Sequence, residues 1–446
     1  MTAIAGIARP GKRKDVEKML DCLSHRGQKR KEISEINGTT FGVASTQVQT
    51  HPVIQTKDTI RLFDYVGWSH YARVDVKPNW ISLERDPLGL APLYYSWTQG
   101  GALCFASEVK ALLPLTQTVY LLSPGSIFDG RQTIPYFHLE RKPELQDPPE
   151  LIARELRAKL EAATRRCIGP CEVGAWLSGG LDSSTIAALA RPYIDTLHTF
   201  AAGLPGAPDL TYAREAAAFL HSEHHEVVVR FEDMLAVLPE VIYYLESFDP
   251  LLVRSSITNF LAAKRAAEFV PAVFSGEGGD ELFGGYEYLK SIPPGRLADE
   301  LIDITKRLHN TALQRVDRSA SAHGTIAHIV FLDPDVVDYA LQIPVRYKIH
   351  AGIEKWILRQ AMQGCLPQSV LNRKKAKFWD GAGVGELFSR YANEVIRDTD
   401  FNAEKLLPNG WHLNSKEELF YYRIFKEHFG ALTELSWMGR TNGFTD

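Results

Sequence analysis

The chain has 446 residues, 45% of them hydrophobic and 23% charged, enough for two or three domains that each bury a core. A formal net charge of −4 gives no global electrostatic reason for a nucleic-acid or anionic-membrane partner, and no apolar run approaches the roughly 18–20 residues of a spanning helix. The five cysteines (Cys22, Cys104, Cys167, Cys171 and Cys365) form neither a disulfide framework nor a complete zinc site, which fits a reducing cytoplasm.

The opening Met1–Ile7 is apolar but too short for a signal peptide. Residues 1–140 read as β-rich, with short runs such as 40–44, 80–84 and 102–106 set between Gly, Pro and Asp turns. Residues 141–150 sit in a charged, proline-rich stretch and read as a linker. From 151 the pattern changes. Leu151, Ile152, Leu156, Leu160 and Ala163 fall at helical spacing, so 150–166 is expected as an amphipathic helix. Strands are expected at 173–177, 196–202 and 225–229, and helices at 184–190 and 211–221. Alternation of this kind implies a parallel sheet with helices on both faces, an α/β domain over 151–446 whose last part, from 297, is mostly helical.

Two loops carry the chemistry. Ser178-Gly179-Gly180-Leu181-Asp182-Ser183-Ser184 lies between a strand and a helix. Its glycines permit close backbone approach, its serines donate, and the helix behind it presents free N–H groups, which suits a phosphate. It is not a Walker A loop, and Asp182 makes sense beside phosphate through a Mg²⁺ ion. The bland alternative is a serine-capped turn. The second loop, Ser275 to Tyr286, has five glycines in twelve residues and the acids Glu277, Asp280 and Glu281. Those acids are either helix-terminus residues or a metal ligand and a general base. Both loops follow strands of one parallel sheet, where open α/β sheets bind ligands. His224-His225-Glu226 looks like a metal tripod, but adjacent strand residues face opposite ways, which argues against it.

The first loop resembles the pyrophosphate loop of the ATP-pyrophosphatase superfamily, and the second is similar to a signature of glutamine-hydrolysing asparagine synthetases. Further likeness runs through 197–206, Arg315-Val316-Asp317-Arg318 and Lys375-Ala376-Lys377-Phe378. The resemblance implies an ATP- and Mg²⁺-dependent amide ligase that passes through an acyl-adenylate. Ser178, Gly179, Gly180, Asp182 and Ser183 would hold the ATP phosphates, and Leu177, Ala202, Ser275 and Gly276 would line the adenosine. Asp182 and Asp280 would bind Mg²⁺, Lys375 would neutralise pyrophosphate, and Glu277 would take a proton from the amine. Substrates would be a small carboxylic acid and ammonia or another amine, with aspartate and ammonia as the default; a homodimer is a possible assembly.

The first 140 residues resemble a worn class-II glutaminase, a β-rich domain of the Ntn type. Ser24-His25-Arg26-Gly27 and Glu84-Arg85-Asp86-Pro87-Leu88-Gly89 match that frame, but Thr2 stands where the family has its nucleophilic cysteine. The region 51–80 is too short for the family's glutamine-pocket segment, so glutamine is not expected to be hydrolysed. In the ligase part, Ile326 and His328 replace a glutamate and an arginine, which bears on the identity of the acid. Alternatives are a ligase of specialised metabolism, similar to the β-lactam synthetases, and a non-catalytic nucleotide-binding scaffold.

Overall fold

The structure, a computed structural model, describes residues 1–27, 29–46, 52–65, 70–78, 80–169, 172–374, 382, 384 and 386–440. Twelve strands occupy the first third: β1 (Thr2–Ile7), β2 (Arg30–Ile36), β3 (Thr39–Ser45), β4 (Val53–Gln55), β5 (Ile60–Tyr65), β6 (Tyr71–Lys77), β7 (Trp80–Arg85), β8 (Tyr94–Trp97), β9 (Leu103–Ala106), β10 (Tyr120–Leu121), β11 (Ser126–Phe128) and β12 (Thr133–Pro135). They form two six-stranded sheets, ordered β10-β8-β9-β1-β3-β2 and β12-β11-β7-β6-β5-β4, with antiparallel pairing throughout.

Side-chain alternation in β1 sorts two cores. Ile4 faces the second sheet and packs with Phe41, Val43, Leu62, Val74 and Leu83. Ala3, Ala5 and Ile7 face the other way, onto Val16, Met19 and Leu20 of helix α1 (Arg13–Cys22). That second core continues into the rest of the chain, taking in Leu245, Phe260, Phe425 and Trp437. The rings of Tyr94 and Trp437 meet edge to face at 6.5 Å. The motif at 84–89 is a structural knot: Arg85 donates to the carbonyls of Gly89, Ala91 and Leu122, and the Asp86 carboxylate accepts from the N–H groups of residues 88 to 91.

Residues 136–148 carry no regular element and lie along the later helices. Arg141 pairs with Asp299 at 2.5 Å, and Leu145 N–H donates to the Gln342 carbonyl. Helix α2 (Pro149–Cys167) then buries Ile152, Leu156, Leu160 and Ala163, while Leu151 remains exposed at 42%. Its start suits proline at the first turn, where no N–H partner is needed.

The second region is built on β13 (Val173–Trp176), β14 (His198–Gly203), β15 (Glu223–Val228), β16 (Ala272–Ser275) and β17 (Ile326–Ile329). All pair in parallel, in the order β15-β14-β13-β16-β17. Helices α3 (Leu181–Ala190), α4 (Pro208–Leu220), α5 (Phe231–Leu245), α6 (Pro250–Ala266), α7 (Gly279–Phe283), α8 (Pro294–Lys306) and α9 (Ala312–Ser321) follow the strands. α2 and α3 pack together, as do α5, α6 and α9, and both groups cover the sheet. The expected α/β architecture is present. β17 was not expected, because it lies in the part read as helical. α3 begins at Leu181 rather than 184, which puts Asp182 in its first turn. Among the described residues, no helix is long and apolar enough to cross a membrane.

Candidate active site

β13 ends at Trp176, and its chain turns through Ser178-Gly179-Gly180 into α3. Gly179 has φ +68°, and a Cβ there would come within 2.3 Å of the Tyr212 backbone on α4, so only glycine lets this loop lie so close. Inside the loop, Ser178 Oγ lies 3.1 Å from Ser183 Oγ and accepts from the Gly180 N–H.

The second loop leaves β16 and packs directly on the first. A Cβ on Gly276 would sit 2.7 Å from the Ser183 nitrogen, and one on Gly279 would sit 2.6 Å from the Asp182 carboxylate. Glycine here serves contact between the two loops. Their carboxylates therefore converge: Lys355 Nζ lies 2.5 Å from Asp182 Oδ2 and 2.6 Å from Asp280 Oδ1. Two oxygens from separate loops, both directed at one buried cation position, are a donor arrangement that fits Mg²⁺. Asp182, Ser183 and Asp280 thus lie together where the two loops meet.

The three acids of the second loop have different surroundings. Glu277 Oε1 accepts from Arg315 Nη2 at 2.5 Å. It does not cap α7, whose N-cap is Gly278 with no side-chain cap bond. Glu281 is buried; burial first, then the Asp280 charge, push its carboxyl up to about 7, while the Tyr286 hydroxyl donates to it.

Leu177, Ser178 and Ala202 line a narrow cavity with Trp176, Phe200, Asp209 and Asn259. Ser275 and Gly276, expected beside them, lie on the β16 side of β13, with Gly276 against α3. Lys375 falls outside the described residues. The chain leading to it is fixed at Arg373, which donates to the Ser178 carbonyl at 3.1 Å, pairs with Asp209 and stacks on Tyr212 at 4.2 Å.

Ile326 and His328 are both partly accessible on β17. Burial drives the His328 pKa down to about 4, so at neutral pH the ring carries no fixed charge of the kind an arginine would supply.

Lys355, Arg315 and Arg373 were given no role in the sequence. Nothing in Gly352-Ile353-Glu354-Lys355 marks that lysine, since its partner carboxylates lie 75 or more positions away.

At the other candidate centre, Thr2 is fully buried. Its hydroxyl donates to Asp64 at 3.1 Å and accepts from the Tyr65 N–H at 2.7 Å. Ser107 donates to the second Asp64 oxygen at 2.6 Å, and Arg26 lies 3.6 Å from it. Arg26 reaches across to the second region, donating to both oxygens of Asp317 at 2.8 and 3.0 Å and to Glu108 at 3.0 Å. Arg318 completes this buried network with Glu108 at 2.9 Å and Glu246 at 3.0 Å. Burial opposes the Glu108 charge, yet Arg318, His25 and Lys110 hold its pKa well below the ordinary value.

A family model described as asparagine synthase matches residues 155–302 and 294–442, and one described as a glutamine amidotransferase domain matches residues 64–127. The chain is 33% identical over 392 residues to glutamine-hydrolyzing asparagine synthetase 2 of Arabidopsis thaliana, covering 81% of this chain and 67% of that protein. It is 35% identical over 414 residues to a probable glutamine-hydrolyzing asparagine synthetase of Schizosaccharomyces pombe, covering 83% and 74%. It is 32% identical over 405 residues to glutamine-hydrolyzing asparagine synthetase B of Escherichia coli, covering 84% and 72%.

Proposed function

The chain belongs to the asparagine synthase family of ATP-dependent ligases, and from that premise we propose that it makes an amide through an acyl-adenylate without hydrolysing glutamine. Aspartate and ammonia are the first pair to test. The observation that carries the reading is the meeting of Asp182 and Asp280 at one cation position, within 2.6 Å of Lys355 Nζ.

In the first step an oxygen of the acid attacks the α-phosphorus of ATP, and the bond to the β-phosphate oxygen breaks. The loop serines and the start of α3 receive the phosphates. Mg²⁺ held by Asp182 and Asp280 would offset the charge that builds on the departing pyrophosphate. Lys355 keeps the two carboxylates in register and would balance their charge where no metal is held. Lys375 would add a second cation at the departing pyrophosphate. In the second step the amine nitrogen attacks the acyl carbon and AMP leaves. Glu277, oriented by Arg315, accepts the proton that the nitrogen releases.

Thr2 supports the rest of the reading, because its hydroxyl is enclosed and committed to Asp64 and Tyr65. A second reading, glutamine as the nitrogen source, is favoured by the amidotransferase match at 64–127 and by the names of the relatives. A screen of acids for ATP–pyrophosphate exchange, followed by amide formation with ammonium or glutamine, tests both. Exchange with no acid would refute the ligase reading. Glutamate released from glutamine by the native protein would replace the ammonia reading with the second one. Thr2→Cys is expected to leave glutamate release at background.

A further inference from the structure

β14 and β15 form the outer pair of the parallel sheet, with β15 at its edge. Their register sets His198 beside Glu223 and Phe200 beside His225. Alternation then sorts the side chains by face. On one face, His224 Nδ1 lies 2.9 Å from Thr199 Oγ1 and Glu226 is held by Arg214. On the other face, His198 Nδ1 lies 3.0 Å from His225 Nε2 and 3.5 Å from Glu223 Oε2. One atom from each of His198, Glu223 and His225 falls within 4.8 Å of the others. The adjacent trio His224-His225-Glu226 is thus split between faces, and a different trio is assembled across two strands.

We propose that His198, Glu223 and His225 bind one transition-metal dication, with Zn²⁺ the best fit, at a site separate from the nucleotide loops. Zinc binds imidazole nitrogen and carboxylate oxygen at about 2.0–2.2 Å, which puts tetrahedral neighbours about 3.3–3.5 Å apart. Two of the three separations, 3.0 and 3.5 Å, bracket that figure and the third lies within 4.8 Å, so side-chain rotation would complete the geometry. Two imidazoles and one carboxylate suit zinc and its neighbours, whereas Mg²⁺ prefers oxygen alone. The rings are also held in place. His225 lies 4.1 Å from the Phe269 ring and 5.0 Å from Phe200, and His198 lies 5.3 Å from Phe269. Arg265, stacked on Phe269, is paired with Glu268.

A His–His hydrogen bond in an aromatic stack would explain the 3.0 Å contact alone. The carboxylate directed at the same His198 nitrogen makes the group a ligand set. His198 opens β14, and Ala202 at the nucleotide cavity lies four residues on, about 13 Å along the strand. The metal would therefore act by clipping the edge strand to its neighbour.

The test uses the full chain without an affinity tag, with excess Mg²⁺ to occupy Asp182 and Asp280. Titration with Zn²⁺ by calorimetry and with Co²⁺ by visible absorption is expected to show one equivalent bound, and Zn²⁺ is expected to raise Tm by several degrees. His198→Gln and His225→Gln are expected to weaken binding by at least the roughly 10–100-fold that changes in outer-shell partners cost. Absence of stoichiometric uptake by the native chain overturns the proposal. So does uptake unchanged in both folded variants, or a Co²⁺ spectrum with thiolate charge-transfer bands, which would put the metal on a cysteine.

Discussion

Two buried carboxylate–hydroxyl groups lie in different halves of this molecule, and they are built to opposite ends. Around Thr2, the hydroxyl, both Asp64 oxygens, Ser107 and Arg26 are fully buried and bound to one another. Around Asp182, the carboxylates meet the Lys355 ammonium beside a loop whose Ser178 and Ser183 remain partly accessible. The difference lies in whether a partner can leave. A lysine ammonium on a flexible stem is a cation that another cation would be able to replace. A threonine fixed between an aspartate and a backbone N–H inside a sheet core cannot turn to an incoming ligand without leaving buried polar groups unpaired. Residue types alone do not make a site; exchangeable partners do.

The largest expected effect tests the open side of that comparison. Asp182→Ala and Asp280→Ala are each expected to bring acid-dependent pyrophosphate release below detection in a protein that still folds, as measured by exchange assay and circular dichroism. Near-normal turnover in either variant would dissociate the paired carboxylates from catalysis. Glu277→Gln comes next. A lost general base typically costs about 10²–10⁴-fold, so amide formation falls by that much while exchange largely survives. Equal loss in both steps would sink the base assignment.

On the closed side, Arg26→Ala removes one of the two arginines that Asp317 and Glu108 share, leaving both carboxylates buried on Arg318. Breaking one member of a buried ion pair costs about 3–5 kcal/mol, readable by urea unfolding. A loss under 1 kcal/mol would mean the network is not structural.

The smallest effect is a pH slope at Glu281. Its folded carboxyl titrates near 7 against an ordinary 4.5, so the folded state holds the proton more tightly. The contribution to stability is fully present below about pH 4.5 and declines as pH rises towards 7. Glu281→Gln should remove that decline, so its Tm relative to the native chain rises across the interval. A parallel offset at every pH would show that Glu281 does not titrate there.

What the sequence made legible follows the same division. The Gly-Ser loop, the acids of the second loop and the alternation of strands and helices are local patterns, each with a physical cause a few residues long. β17 was missed because Ile326–Ile329 is a four-residue run holding His328 and lacks the glycine-rich loop that follows β13 and β16. The motifs at 24–27 and 84–89 were readable as family frame, but their present work was not. Arg26 finds Asp317 across 291 positions, and Arg85 spends its donors on carbonyls that any sequence could supply. Leu151, counted with the buried stripe of α2, is exposed because it lies about 100° round the helix from Ile152, off the face that Leu156, Leu160 and Ala163 share.

The core that runs from Ala5 and Met19 to Phe425 and Trp437 bears on the order in which the chain is made. The ribosome releases the N-terminal half first, and domains generally fold in that order. The helix Lys416–Phe429 is made after the first sheet and would meet its outward face already formed, with Tyr94 placed to receive Trp437. The first region thus offers the last one a packing surface, a service that depends on Ala5, Met19 and Tyr94 and on no reaction chemistry.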